Sequence, residues 1–132
     1  MIRSLTLTIF ILAGQFAFSS PDPGKGTNCK AFRTGKYKLV DKERAYRIER
    51  DQRFQIETDL STNETTKFKV TWVNRCEYEL NIISGREDLM IFFKDKTLVI
   101  RILETYENGY QYEARLKGIA GGAVVHTVER IN

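Results

Sequence analysis

Apolar and polar side chains alternate with a two-residue period along most of the chain, the spacing of strands with one face in a core and the other in water. Tyr37 and Leu39 alternate with Lys36 and Lys38 after Gly35, which predicts a short first strand. Tyr46 and Ile48 share a face with Phe54 and Ile56 if a three-residue turn, Arg50-Asp51-Gln52, joins two strands. That register sets Glu49 against Arg53 and Arg47 against Gln55 on the outer face. A two-residue turn would instead put Ile48 opposite Gln55 and is rejected on that ground. Ser61-Thr62-Asn63-Glu64 is turn chemistry. Phe68, Val70 and Trp72 then alternate with Lys67, Lys69 and Thr71, the clearest strand in the chain, and after Asn74-Arg75 the alternation resumes through Cys76, Tyr78, Leu80 and Ile82. Trp72 and Tyr78 fall where one aromatic cluster beside a cysteine is expected.

Residues 86 to 93 are ambiguous, because Leu89, Met90, Phe92 and Phe93 suit a short helix as well as a buried strand. Beyond the Lys94-Asp95-Lys96 turn, Leu98 to Leu103 is a strong β run, and Asn108-Gly109 is the pair favoured in a type I′ hairpin. Tyr110, Tyr112, Ala114 and Leu116 form the return strand, Gly118, Gly121 and Gly122 bracket a bend, and residues 124 to 131 supply a last strand. The pattern predicts an all-β fold, an antiparallel up-and-down meander of about eight strands. A sheet of this kind must cover its edges or close on itself, so a small lipocalin-like barrel is the leading architecture and a two-layer β-sandwich the alternative.

The start of the chain changes the picture from fold to compartment. Arg3 precedes a charge-free apolar run from Leu5 to Phe18, and Ala17 with Ser19 supplies the small residues a signal peptidase requires. Residues 1 to 19 are therefore expected to be a signal peptide, residues 20 to 28 a flexible lead, and residues 29 to 132 a single β domain. The apolar run falls short of the roughly 20 residues needed to span a bilayer, so no stable membrane anchor is expected. Localisation is expected to be periplasmic or extracellular. In an oxidising compartment the only two cysteines, Cys29 and Cys76, read as a disulfide, with buried free thiols as the alternative. Loss of Arg3 lowers the formal net charge from +4 to +3. Basic residues are interleaved with acidic ones, as in Lys42-Glu43-Arg44, rather than gathered into a stripe, which argues against a nucleic-acid partner.

Several spaced residues carry a resemblance: Cys29-Lys30-Ala31-Phe32-Arg33-Thr34-Gly35-Lys36-Tyr37, then Ile48-Glu49-Arg50 with Gln55 and Glu57, then Val70-Thr71-Trp72 with Cys76, Tyr78 and Leu80. In these the chain resembles a group of short exported bacterial β-domain proteins, sometimes labelled DNA topoisomerase IV, over about the first half of the mature chain. The resemblance implies export and paired cysteines and names no substrate. The topoisomerase label itself conflicts with the residues, since 132 positions leave no room for the ATPase and cleavage domains of such an enzyme.

No catalytic set stands out, and no enzyme activity is expected; the alternative is a hydrolase with His126 as its base. The one histidine, His126, sits in an apolar run and reads as an ordinary strand histidine, and no pair of carboxylates is singled out by spacing. Two cysteines and one histidine lack zinc-ligand spacing, so no metal or other cofactor is expected. Arg50, Gln55 and Glu57 form the most interesting polar set. They read either as the rim of a ligand site, with Arg50 meeting an anion, or as a cross-strand ladder. With Trp72 and Tyr78 they are the candidate ligand-binding residues of a barrel that takes a small apolar or amphipathic ligand. The competing reading is an envelope or extracellular interaction module whose partner is an envelope protein.

Overall fold

The computed structural model describes residues 27–132; the expected signal peptide and all but the end of the lead lie outside them. A 3-10 turn, Cys29–Phe32, precedes eight strands: β1 (Gly35–Asp41), β2 (Arg44–Arg50), β3 (Phe54–Asp59), β4 (Thr65–Asn74), β5 (Glu77–Ser84), β6 (Leu98–Thr105), β7 (Gly109–Leu116) and β8 (Val124–Arg130). Each strand pairs antiparallel with the next, and β8 returns to β1 with Tyr37 opposite Arg130, so the meander closes into a barrel without free edges. The sandwich alternative does not occur. Residues 86 to 93, ambiguous in sequence, contribute the helix α1 (Glu87–Phe93) between β5 and β6. Phe93 packs its ring edge-on against Phe68 of β4, and none of the helix residues is buried. Among the described residues no helix is long and apolar enough to cross a membrane.

Up-and-down connectivity separates two ends. At one end lie the 3-10 turn and the β2–β3, β4–β5 and β6–β7 turns; at the other lie the β1–β2, β3–β4 and β7–β8 turns and α1. The first end is closed. Cys29 and Cys76 form the expected disulfide, with 5.3 Å between their Cα atoms, and tie the 3-10 turn to the start of β5. Asn28 N–H donates to Thr105 Oγ1 at 2.8 Å, so the chain docks on β6 one residue before the cysteine. The turn thereby inserts Phe32 into the barrel, its ring 5.4 Å from Tyr110 and 6.3 Å from Tyr37. Around this plug the core comprises Ile48, Phe68, Val70, Tyr78, Leu80, Ile100, Ile102, Tyr112 and Val128.

Two hairpins differ from the sequence reading. Arg50 lies opposite Gln55 and Ile48 opposite Glu57, not Glu49 opposite Arg53 or Arg47 opposite Gln55. The chain reverses within residues 51–54, where Asp51 N–H donates to Phe54 O at 3.0 Å and Asp51 Oδ1 accepts from the N–H groups of Arg53 and Phe54. Arg50 and Gln55 consequently point inward, 4% and 2% exposed, while Phe54 and Ile56 are half-buried on the opposite face. Lys67 Nζ lies 4.3 Å from the Phe54 ring centroid, a cation–π contact that accounts for an aromatic outside the barrel.

The β6–β7 hairpin is not built on Asn108-Gly109 as a type I′ pair. Neither residue has positive φ, which that turn demands of both central positions. Tyr106 N–H donates to Gly109 O at 2.8 Å, so Glu107-Asn108 is the loop and Gly109 is already in β7 opposite Glu129. The glycine is there because a Cβ would meet Val128 O at 2.1 Å. The Gly118, Gly121 and Gly122 bend does use positive φ, at 77°, 80° and 72°.

Candidate functional site

Inward-facing residues divide the barrel interior into a packed floor and a cavity. Arg50, the last residue of β2, makes the floor. Its Nε donates to Arg33 O at 3.0 Å, Nη1 to Gln55 Oε1 and Tyr78 Oη at 3.0 Å each, and Nη2 to Phe32 O at 2.6 Å and Tyr110 Oη at 2.9 Å. A guanidinium carries five N–H donors, and all five are used. The same group lies 4.8 Å from the Tyr78 ring centroid and 5.1 Å from that of Tyr37. Burial acts to lower the Arg50 pKa, but the surrounding oxygens of Tyr78, Tyr110 and Tyr37 outweigh it and the net shift is upward, so the group is cationic. Arg130 reinforces the plug from β8, donating through Nη2 to Ala31 O with its guanidinium carbon 4.6 Å from the Phe32 ring centroid.

Above this floor an internal cavity of about 170 Å³ is lined by apolar side chains of five strands, including Leu39, Ile48, Leu80, Leu98, Ile100 and Ala114. Its polar groups are Gln55, Glu57, the phenols of Tyr46, Tyr78, Tyr110 and Tyr112, and His126. A second volume of about 280 Å³ forms the mouth, between α1 and the open ends of β2, β3 and β4. Tyr46, Glu57 and Leu98 line both volumes, so the two adjoin. Leu89 and Phe93 of α1 wall the mouth, with Phe93 in edge contact with Phe68 at 6.1 Å. Arg86 there is tied to Asp88 at 2.6 Å and to Glu64 at 3.6 Å.

Glu57 sits at the junction. Gln55 Nε2 donates to its Oε1 at 3.0 Å, and since Arg50 donates to the other end of the same amide, Gln55 relays between cation and carboxyl. Burial pushes the Glu57 carboxyl above its ordinary range, against the opposing influence of the Gln55 hydrogen bond and the Arg50 charge. Burial likewise raises the phenols of Tyr78 and Tyr112, so both are neutral donors and acceptors.

Of the five candidate ligand-binding residues, Gln55, Glu57 and Tyr78 line the cavity and Arg50 and Trp72 do not. Arg50 has no donor left for an anion. Trp72 lies toward the closed end, 4.6 Å from Tyr78 between ring centroids, with the Arg33 guanidinium 4.9 Å from its own. It belongs to the aromatic cluster expected beside the disulfide. His126 is an ordinary β8 strand residue on a half-buried face, and it also lines the cavity, its ring 6.0 Å from that of Tyr112. That face is set by the β7–β8 register, in which His126 lies opposite Tyr112 and the buried Val128 opposite Tyr110. Among the described residues no group of three or more His, Cys, Asp or Glu side chains is placed to hold a metal ion. Compared with family models, with curated proteins and with solved structures, the chain finds no match.

Proposed function

We propose that this chain is an exported binding protein whose barrel holds a small amphipathic ligand, its apolar part in the cavity and its polar end at the Glu57 junction. The observation that carries the reading is an internal cavity, floored at one end by the Arg50 network and leading at the other to a mouth of about 280 Å³. Drug-sized ligands occupy pockets of roughly 300–1,000 Å³, and an apolar cavity of about 150 Å³ accepts a single aromatic ring. The ligand is therefore small. Export is supported by the signal-like first residues and by the disulfide.

Ala114 tests the reading, since it lines the cavity and its replacement by a larger apolar side chain fills the space that a ligand would take. Hexanol binding measured by calorimetry is expected in the wild type and absent in Ala114→Leu, with the variant's Tm unchanged or higher. Equal hexanol affinity in both proteins would place the ligand elsewhere. The interaction-module reading is favoured by one observation, the exposure of Ile91 (69%) and Phe92 (50%) on α1. If that reading holds, Ile91→Ser with Phe92→Ser abolishes capture of an envelope protein and leaves hexanol binding intact.

A further inference from the structure

We propose that the cavity selects cationic amphiphiles, taking a short apolar chain or ring whose protonated amine docks against the Glu57 carboxylate. The inference rests on the binding reading above and narrows it to a ligand class.

Of the Asp, Glu, Lys and Arg residues described, Glu57 alone lines the internal cavity. Its nearest buried cation is spent: Arg50 makes five hydrogen bonds to other groups and reaches Glu57 only through Gln55. The two charges form a dipole whose negative end faces the cavity and whose positive end is sealed beneath it. A carboxylate in such surroundings gains most from a partner that brings both charge and N–H donors. An ammonium does so, and the aromatic side chains of Tyr46 and Tyr112, of a kind that attracts cations, stand in the same lining. A carboxylate ligand meets only the negative end of the dipole and is repelled.

The groups that share the lining with Glu57 or act on its charge come from several strands: Gln55 from its own, Tyr46 and Arg50 from β2, Tyr112 from β7 and His126 from β8. In the mouth, Arg44 and Arg86 are balanced by Asp59 and Glu64, and Arg86 is already paired, so the mouth does not oppose entry of a cation. Protonation of Glu57 removes the anionic anchor, and the amine preference falls with pH. Burial, which pushes this carboxyl upward, brings that loss to a higher pH than an ordinary glutamate would show.

Hexylamine, hexanol and hexanoate share one tail and differ in the head group, so calorimetric titration of the purified protein with each separates tail from head. At neutral pH hexylamine is expected to bind about tenfold or more tighter than hexanol, with hexanoate weakest, the scale on which a charged hydrogen bond exceeds a neutral one. Glu57→Gln is expected to abolish the amine preference while hexanol still binds. In the wild type the same preference declines as the pH is lowered, a measurement that needs no variant to fold. Hexanol binding as tightly as hexylamine overturns the cationic class and leaves the cavity reading standing. A preference retained in Glu57→Gln overturns the assignment to Glu57. Failure of all three probes removes the cavity reading and this inference with it.

Discussion

Arg50 and Tyr110, sixty positions apart in the chain, meet at the closed end of the barrel through a 2.9 Å hydrogen bond from Nη2 to the phenol oxygen. The contact joins β2 to β7 across the interior and brings the arginine under the 3-10 turn. Phe32 and Arg33 offer the turn's carbonyls to the same guanidinium, so one side chain ties the plug to both sides of the barrel.

Replacing Arg50 strands several buried acceptors at once. Arg50→Ala is expected to lower the unfolding free energy by about 3–5 kcal/mol, at the severe end of single substitutions. Arg50→Lys keeps the charge but has three donors for five acceptors, and is expected to fall between wild type and alanine. Urea denaturation measures both. A loss below about 1 kcal/mol for alanine would mean that water replaces the arginine without strain.

The same arginine marks the limit of what the alternation pattern shows. Phe68, Val70 and Trp72, or Tyr110, Tyr112 and Ala114, reveal their strands because apolar side chains face one way, and eight such strands with short turns are legible as a closed meander. In the β2–β3 hairpin the rule points the wrong way. Its inward positions are Ile48, Arg50, Gln55 and Glu57, and the half-buried outer ones include Phe54 and Ile56. Burial of Arg50 is tolerable only because Phe32, Arg33, Gln55, Tyr78 and Tyr110 supply acceptors, and those arrive from four separate segments. Local periodicity does not contain that assembly. Gln55, Glu57 and Tyr78, singled out by spaced residues, line the cavity, whereas the inward face of His126 depends on the β7–β8 register.

Removal of the disulfide should loosen the plug before it unfolds the barrel. For a sequence separation of 47 the chain-entropy model assigns the bond about 4 kcal/mol, and the double variant Cys29→Ser, Cys76→Ser is expected to lose about 2–4 kcal/mol. Trp72 reports on the local effect because Arg33, which follows the plug directly, covers its ring. Its emission is expected to shift to the red in the folded variant. Both cysteines are buried, so reduction of the wild type should be slow under native conditions and accelerate with denaturant. Rapid reduction of the native protein would show the plug to be loosely held.

Glu57 gives stability a pH dependence of definite sign. Burial raises its folded-state pKa above the ordinary 4.5, so over the window opening near that value the native state binds more protons than the unfolded one. Stability from this residue is complete below the window and is lost as the pH rises through the folded pKa. Asp51 and Asp59 act oppositely, since hydrogen bonds from Arg53 and Phe54 in one case and from Ser61 in the other hold them below the ordinary range. Those two are common to both proteins, so subtracting the wild-type curve from that of Glu57→Gln isolates the buried carboxyl. The variant should gain relative stability as the pH is raised from about 4 to 7 in denaturant titrations. A flat difference would show Glu57 to be as well solvated in the folded state as in the unfolded one.

Gly109 and Gly122 separate two reasons for a glycine. At Gly122 φ is 72° and the space a Cβ would occupy is open, so Gly122→Ala should cost only the left-handed backbone penalty, about 1 kcal/mol. At Gly109 φ is ordinary, but the added carbon would lie 2.1 Å from Val128 O and 3.2 Å from Glu129 Cα. Both neighbours are backbone, and the clash cannot be relieved by turning a side chain. Relief requires β7 and β8 to part where Arg130 N–H donates to Asn108 O at 2.7 Å, beside the pairing of β8 with β1 that closes the barrel. Gly109→Ala should therefore cost about 3 kcal/mol or more and speed amide hydrogen exchange along β8, whereas Gly122→Ala leaves that exchange unchanged. Equal costs at the two sites would show that β8 can shift outward without breaking the ring.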